Sequence, residues 1–372
     1  MKKTLLAAAL IAGFAGVAQA ETSVTLYGIL DGGIGYQKIE GGDATAKRTG
    51  MINGIQSGNR WGVKGSEDLG NGLRAVFQLE SGFDLGTGLS AQGTSGPNGE
   101  GRLFGRQATL GLAGDSWGQL DLGRQTNIAS KYFGAIDPFG LGFNQANVGT
   151  TFSSVNTVRY DNMVMYQTPN FSGFQFGVGY SFNTGGGQGW DIDAPGVTNP
   201  DDSNNKAITT GLRYANGPIA VALTYDQAKR EIDDVTVKQW NIGGAYDFEI
   251  VKAHAAFGQT RNGLFSSGIS DELRINSFTG VQEGLKVNSY MVGLSAPIGN
   301  GKVLASWQMA DPRSNPDSFA GDMEKTQIYS LGYTYGLSKR TNLYAIGSYA
   351  KNAYFADDAK STLVGVGVRH QF

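Results

Sequence analysis

Nearly the whole chain is a succession of segments of about ten residues in which apolar and polar side chains alternate, the length of a tilted strand that crosses a bilayer. Sixteen such segments can be drawn, from "VTLYGILDGG" through "LRAVFQLESGF", "FQFGVGYSFN" and "IAVALTYDQA" to "TLVGVGVRHQF". Alternation of period two is the pattern of a strand with one apolar and one polar face. No segment carries a convincing helical period. The last strand alternates up to Phe372, with Val364, Val366 and Val368 opposing Gly365, Gly367, Arg369 and Gln371. Chain ends fray unless something ties them down, so this strand is expected to pair with the first one and close the sheet.

The connections sort into two kinds. The links "SEDLGNG", "GDSW", "TPNFSG", "NGP", "EI", "IGNG" and "LSKR" are short, whereas the intervening ones are mostly long and polar, as in "QKIEGGDATAKRTGMINGIQSG" and "NTGGGQGWDIDAPGVTNPDDSNN". Strict alternation puts all tight turns at one end of the sheet and the large loops at the other, the asymmetry of bacterial outer-membrane barrels. The nine prolines fall in connections or at strand ends, as a ladder that needs every N–H requires.

The two faces then divide into wet and dry. Phe174, Phe176, Val178, Tyr180 and Phe182 oppose Gln175, Gly177, Gly179, Ser181 and Asn183; Leu73, Ala75, Phe77, Leu79 and Phe83 oppose Arg74, Gln78, Glu80 and Gly82. Sixteen strands enclose more volume than side chains can fill, so the apolar face is expected outside, against lipid, and the polar face around water. Tyr27, Trp61, Trp240, Tyr246, Tyr335 and Tyr349 are expected in interfacial girdles. The fold class read from these patterns is all-β, a 16-stranded antiparallel transmembrane β-barrel with long external loops.

The first residues, "MKKTLLAAALIAGFAGVAQA", have the basic, apolar and small-residue regions of a signal peptide cleaved after Ala20. The expected organisation is a signal peptide over 1–20 and a single barrel domain over 21–372. Cleavage takes away Lys2 and Lys3, leaving 28 basic against 32 acidic side chains, which argues against a nucleic-acid partner. With no cysteine there is no disulfide or thiolate metal site. Only His254 and His370 could serve catalysis by imidazole, and no nucleophile motif accompanies either. The run "NTGGGQG" lacks the lysine and strand–helix setting of a phosphate loop, and "PDDSNN" reads as solvated loop. No enzyme activity, cofactor or metal is expected.

Several words of the sequence resemble the general porins of Gram-negative outer membranes, closest to the β-proteobacterial type: "VTLYGILDGGIGY", "GNRWGVKGSEDLGNGLRAVFQLESGF", "RLFGRQATLGLAG", "LDLGRQ", "DPFG", "TVRYDN" and "GVRHQF". The resemblance runs in order along the whole mature chain. It implies a homotrimer of barrels in the outer membrane, in contact with lipid and lipopolysaccharide, each with its own water-filled pore for ions and small hydrophilic solutes. It implies that the third external loop, about 125–156, folds inward and narrows the channel, facing a ladder of arginines. The matching positions are Arg60 in "NRWGVKG", Arg106 in "FGRQATLG" and Arg159 in "TVRYDN", with Arg124 in "LGRQ" as a fourth. The loop holds only two charged residues, Lys131 and Asp137, and Ile29 stands where a relative pattern has a basic residue after "LYG". Three arginines and Lys131 against Asp137 imply a mild anion preference. Lys64 and Arg74 face the lumen nearer the turn-side mouth. Phe372, with His370 and Val368 on its face, resembles the barrel-assembly signal of outer-membrane proteins. The alternative on the same barrel is a solute-specific channel or a surface receptor or adhesin.

Overall fold

The computed structural model describes residues 22–92, 101–189, 204–263, 269, 272–273 and 281–372. The expected signal peptide over 1–20, the expected start at Glu21 and residues 200–203 of "PDDSNN" lie outside the described residues. No helix among the described residues is long and apolar enough to cross a membrane.

Strands form one antiparallel sheet that closes on itself. β1 (Ser23–Gly41) has β17 (Lys360–Gln371) along one edge; along the other it has first β2 (Ala44–Asn53) and then β3 (Arg60–Gly70). β2 and β3 are halves of one wall position separated by residues 54–59, so seventeen segments occupy sixteen positions. The wall continues through β4 (Leu73–Gly82), β5 (Gln107–Gly114), β6 (Gly118–Thr126), β7 (Arg159–Gln167), β8 (Phe174–Ser181), β9 (Lys206–Asn216) and β10 (Ile219–Lys229). It is completed by β11 (Thr236–Asp247), β12 (Lys252–Arg261), β13 (Lys286–Ile298), β14 (Gly301–Ser314), β15 (Thr326–Gly336) and β16 (Thr341–Lys351). Closure removes both sheet edges along the seam. Its register runs from Ile29 opposite Gln371 to Glu40 opposite Lys360, and Phe372 exchanges two 3.1 Å backbone hydrogen bonds with Gly28.

The seven short links all form turns at one end. The first external link departs from the expected long loop. β1 runs on to Gly41, turns through Gly42 (φ +55°) and Asp43, and returns as β2. A positive φ at this turn suits glycine, which has no Cβ to clash. β5 also starts later than its alternation suggests, at Gln107, leaving Leu103 to Arg106 in the preceding connection.

The apolar rows face outward: Ile34, Leu110 and Val366 are each about 60% exposed in the single chain, at 66%, 63% and 58%. Of the girdle aromatics, Trp61, Trp240, Tyr246, Tyr335 and Tyr349 lie on this face. Tyr27 does not. Its row on β1 is the inward one, and its hydroxyl donates to Glu80 Oε2 at 3.0 Å.

The connection between β6 and β7, residues 127–158, folds into the barrel. Asn127 caps the short helix α1 (Ile128–Phe133) by accepting a 3.2 Å hydrogen bond from Ser130 N–H. Ile128, Phe133, Ile136, Val148, Phe152 and Val155 then pack against inward Ala220, Ala222, Ala245, Ala256 and Met291 of the wall. The tip packs farther round: Phe139, Phe143 and Ala146 lie against Leu304, Tyr344, Ile346 and Leu363. Inward glycines make the room. A Cβ on Gly243 would lie 2.7 Å from Ile136 Cγ2, and one on Gly177 would lie 2.5 Å from Ile128 Cδ1.

Candidate constriction and its comparison with known proteins

Polar side chains of the wall pin the loop where its backbone would otherwise lack partners, because a buried unpaired amide or carbonyl is costly. Asn127 Nδ2 donates to Asp226 Oδ1 and to Ser154 O, both at 2.8 Å, and Ile128 N–H donates to Thr209 Oγ1 at 2.8 Å. Gln239 Oε1 accepts from Ser153 Oγ at 2.8 Å, Gln308 Nε2 donates to Ala146 O at 2.7 Å, and Ser361 Oγ donates to Gln145 Oε1 at 2.8 Å. His254 lies under the loop, with Nδ1 2.8 Å from Ile136 O and Nε2 3.0 Å from Ser295 Oγ. These anchors span β9 to β17, so one side of the lumen is covered.

The other side stays open. A cavity of about 430 Å3 separates the loop edge from the wall and is lined by Arg60, Arg106 and Arg159. Each guanidinium is oriented by a carbonyl or a carboxylate. Arg60, the first residue of β3, donates from Nε to Gly58 O at 3.0 Å. Arg159, the first residue of β7, donates from Nε to Arg106 O at 3.0 Å and from Nη1 to Thr157 O at 3.1 Å. Arg106, in the bend before β5, forms a 2.6 Å ion pair with Glu80, and both side chains are about nine-tenths covered, at 10% exposure each. Glu80 in turn accepts from Tyr27, whose hydroxyl accepts from Gln78 Nε2 at 2.5 Å. Among the described residues no carboxylate forms an ion pair with Arg60 or Arg159. The facing loop edge, with Gly140, Leu141, Asn144 and Asn147, carries no charge.

The two charged loop residues stand elsewhere. Asp137 is buried and turned into the loop, accepting from the N–H groups of Phe139, Leu141 and Val148 at 3.0, 2.9 and 3.2 Å. It organises the loop from within, where an aperture-facing carboxylate was expected. Burial pushes its carboxyl up to about 6 against the pull of those three amides. Lys131, on α1, is within electrostatic reach of Asp121 on β6, and burial lowers its ammonium below the usual lysine range. Neither residue lines the cavity. Arg124 does not line it either: its Nη1 pairs with Asp161 at 2.6 Å and its Nε donates to Gly105 O at 2.8 Å. Asp161 also takes Arg102 at 2.7 Å. At the turn-side mouth Lys64 lies 5.4 Å from the Tyr27 ring centroid, and Arg74 pairs with Asp115 at 2.8 Å. Val368, His370 and Phe372 are on the outer face of the last strand.

Sequence reading missed Glu80, Tyr27, Asp161 and Arg369. Glu80 and Arg369 each occupy the polar row of an alternating segment, which was the available signal. Arg369 faces inward on β17, close enough to Arg60 and Asp31 for their charges to interact. Asp31 accepts from Tyr344 Oη at 2.6 Å and from Ser57 N–H at 2.7 Å, which secures the 54–59 break from which Arg60 emerges.

The profile of the Gram-negative porin family matches residues 7–354. The chain belongs to the Gram-negative porins. An outer membrane porin protein of Bordetella pertussis is 57% identical over the full length of both chains, and outer membrane porin protein 32 of Delftia acidovorans is 32% identical, again over both full lengths. Among solved structures, an anion-selective porin from Comamonas acidovorans matches with a TM-score of 0.71 at 28% identity, covering 95% of this chain and 100% of the other. Salmonella typhi OmpF, at 17% identity, shares the fold with a TM-score of 0.64 over 96% of this chain and 99% of that one. This porin is therefore an outer-membrane barrel that forms a general diffusion channel, and its family consists of channels. The apolar outer rows are its lipid-facing surface and the lumen is its water path.

Proposed function

We propose that this porin is a homotrimer whose three pores pass small ions and hydrophilic solutes with a mild preference for anions, and that it has no catalytic activity. Arg60, Arg106 and Arg159 form the selective wall of the constriction. Lys131 adds positive charge to the lumen away from the aperture; Asp137 shapes the loop. Arg124 serves as an ion-pair partner of Asp161 at the rim. Phe372, Val368 and His370 form the assembly signal. The bilayer partners are outer-membrane lipid and lipopolysaccharide.

One observation carries the reading: the cavity at the aperture has three arginines on one wall, a single carboxylate beside them, and an uncharged loop edge opposite. Fixed positive charge in a narrow aqueous path raises the local concentration of anions, and does so most at low salt. The anion-selective porin from Comamonas acidovorans, a solved relative, supports the same sign. Residues 21–372, refolded in detergent and inserted into a planar bilayer across a KCl gradient, are expected to give large steps in groups of three with a reversal potential on the anion side. A cation-side potential would overturn the arginine wall while keeping the channel. Silence from folded protein would favour a plugged or solute-specific barrel.

A further inference from the structure

A second polar cavity lies on the turn side of the arginine wall. It has a volume of about 270 Å3 and is lined by Lys64, Gln78, Gln107, Thr109, Gln119 and Asp121. The register of β3 to β6 brings these residues together. Lys64 is opposite Gln78, Gln78 is opposite Thr109, and Asp121 is opposite Gly111, one inward position turnward of Thr109. Lys64 stands four residues turnward of Arg60 on β3, about 14 Å along the strand. A solute leaving the aperture toward the turn side passes this stretch of wall next.

The cavity has two charges of opposite sign, and among the described residues neither forms an ion pair. The Lys64 ammonium lies over the Tyr27 ring. Asp121 is only 5% exposed, and each of its oxygens accepts from Gln119 Nε2 at 2.9 Å. Lys131, on the loop, acts on it electrostatically without pairing. A buried carboxylate is ordinarily met by a cation, and one amide leaves that role open. Gly111 seats the group, since a Cβ there would lie 2.4 Å from Asp121 Oδ1. Between the charges, Gln78, Gln107 and Thr109 offer neutral donors and acceptors.

Spacing sets the size of what could join the two charges. Three strand intervals and one two-residue step separate Lys64 from Asp121, about 16 Å of wall. Side chains stand roughly perpendicular to a sheet, so much of that distance remains between the charged groups. An α-amino acid holds both of its charges on one carbon and is too short to reach them together. We propose that this cavity retains linear zwitterions with a charge at each end, the class of the ω-amino acids, with the carboxylate on Lys64 and the ammonium on Asp121. A monocarboxylate would gain Lys64 and face Asp121, and a monoamine would meet the reverse. The arginine wall sorts solutes by net charge, whereas this site sorts those of zero net charge by where their ends lie. It depends on the channel reading for access and adds a binding site to it.

The test titrates 6-aminohexanoate, hexanoate, hexylammonium and glycine against the KCl conductance of the full barrel in a planar bilayer. 6-Aminohexanoate is expected to lower the conductance saturably, with a half-effect at a concentration about fivefold below that of each other probe, as two exposed charge contacts allow. A Lys64→Gln/Asp121→Asn variant is expected to conduct and to lose that advantage. Lys64→Glu, which sets two carboxylates at the cavity, is expected to favour hexylammonium over hexanoate. Equal half-effects of the four probes on the wild type overturn the inference. So does an advantage that survives in the neutral double variant, since retention then lies elsewhere in the lumen, or a Lys64→Glu variant with the wild-type order of probes. A conducting wild type on which 6-aminohexanoate has no effect refutes this inference alone, whereas a non-conducting one refutes the channel reading.

Discussion

Along β9 to β17 the inward side chains are mostly alanine, glycine, serine, threonine and glutamine, with the buried Asp226 receiving Asn127, and the loop rests on them; along β3 to the start of β7 they include arginine and glutamate, and the cavity lies against them. The contrast follows from solvation. A loop can be held in a water-filled tube only if its own polar groups are paired and its apolar groups buried, and unpaired charges beneath it would be stripped of water at a cost of several kcal/mol each; Asp226, the carboxyl that does lie there, is received by Asn127. Selectivity needs the opposite, charges that keep their water and their freedom to act on a passing ion. The barrel separates the two requirements by side. Asp137 obeys the same rule: as one of two charged residues on the loop, it is buried only because three backbone amides receive it.

Charge reversal tests the open wall most severely. Arg60→Glu combined with Arg159→Glu replaces two positive charges with two negative ones, and the reversal potential across a KCl gradient is expected to change sign. Persistence of the anion preference would place selectivity elsewhere in the lumen. The covered wall is tested next by Gly243→Leu. Its Cβ would lie 2.7 Å from Ile136 Cγ2 and 3.0 Å from Phe133 Cε1, an overpacking worth about 1–3 kcal/mol. The loop should lift and single-channel conductance rise, with selectivity weakened rather than inverted. An unchanged conductance would mean the loop does not narrow the path.

A pH effect of similar or smaller size concerns the loop interior. The Asp137 carboxyl titrates near 6 in the fold and near 3.8 when unfolded. Between those values the folded state holds the extra proton, so the contribution to loop stability is greatest at low pH and falls, by an amount on the order of 2 kcal/mol, as pH rises to about 6. Hydrogen exchange at residues 139, 141 and 148 should quicken across that window, after correction for intrinsic rates, and then level off; Asp137→Asn should remove the step. The smallest effect is expected from Arg124→Gln, which leaves the cavity lining intact. Its reversal potential should match the wild type, and a clear shift toward cations would extend the selective wall to Arg124.

The barrel itself was legible because its strands obey a two-residue period imposed by water on one face and lipid on the other. Where that imposition stops, so did legibility. The stretch "GGDATAKRTGMIN" reads as loop because both faces of a hairpin beyond the apolar belt are polar, yet β1 and β2 run through it. Tyr27 reads as a girdle residue by its type, although its place in the alternation sets it inside. The seat of the loop could not be read locally: Asn127 meets Asp226 from 99 residues away and Gln145 meets Ser361 from 216. Nothing in the strand pattern distinguishes a glycine that spares room for Phe133 from one that merely tolerates a pleat. For Arg60, Arg106 and Arg159 the likeness to relatives supplied what period and spacing could not.

The divided second wall position has a consequence for how such a chain can vary. Residues 54–59 leave the ladder between β2 and β3, and Asp31 fastens them through Ser57 while Asn59 exchanges hydrogen bonds with the Asp31 backbone. A shift by one residue flips every side chain of an uninterrupted strand to the opposite face. Here a slip in the external hairpin ends at the fastening, and Arg60 keeps its aim. The external hairpin can thus drift in length and sequence while Arg60, a few residues below, stays in phase, so the outer rim and the inner wall are free to evolve on separate clocks.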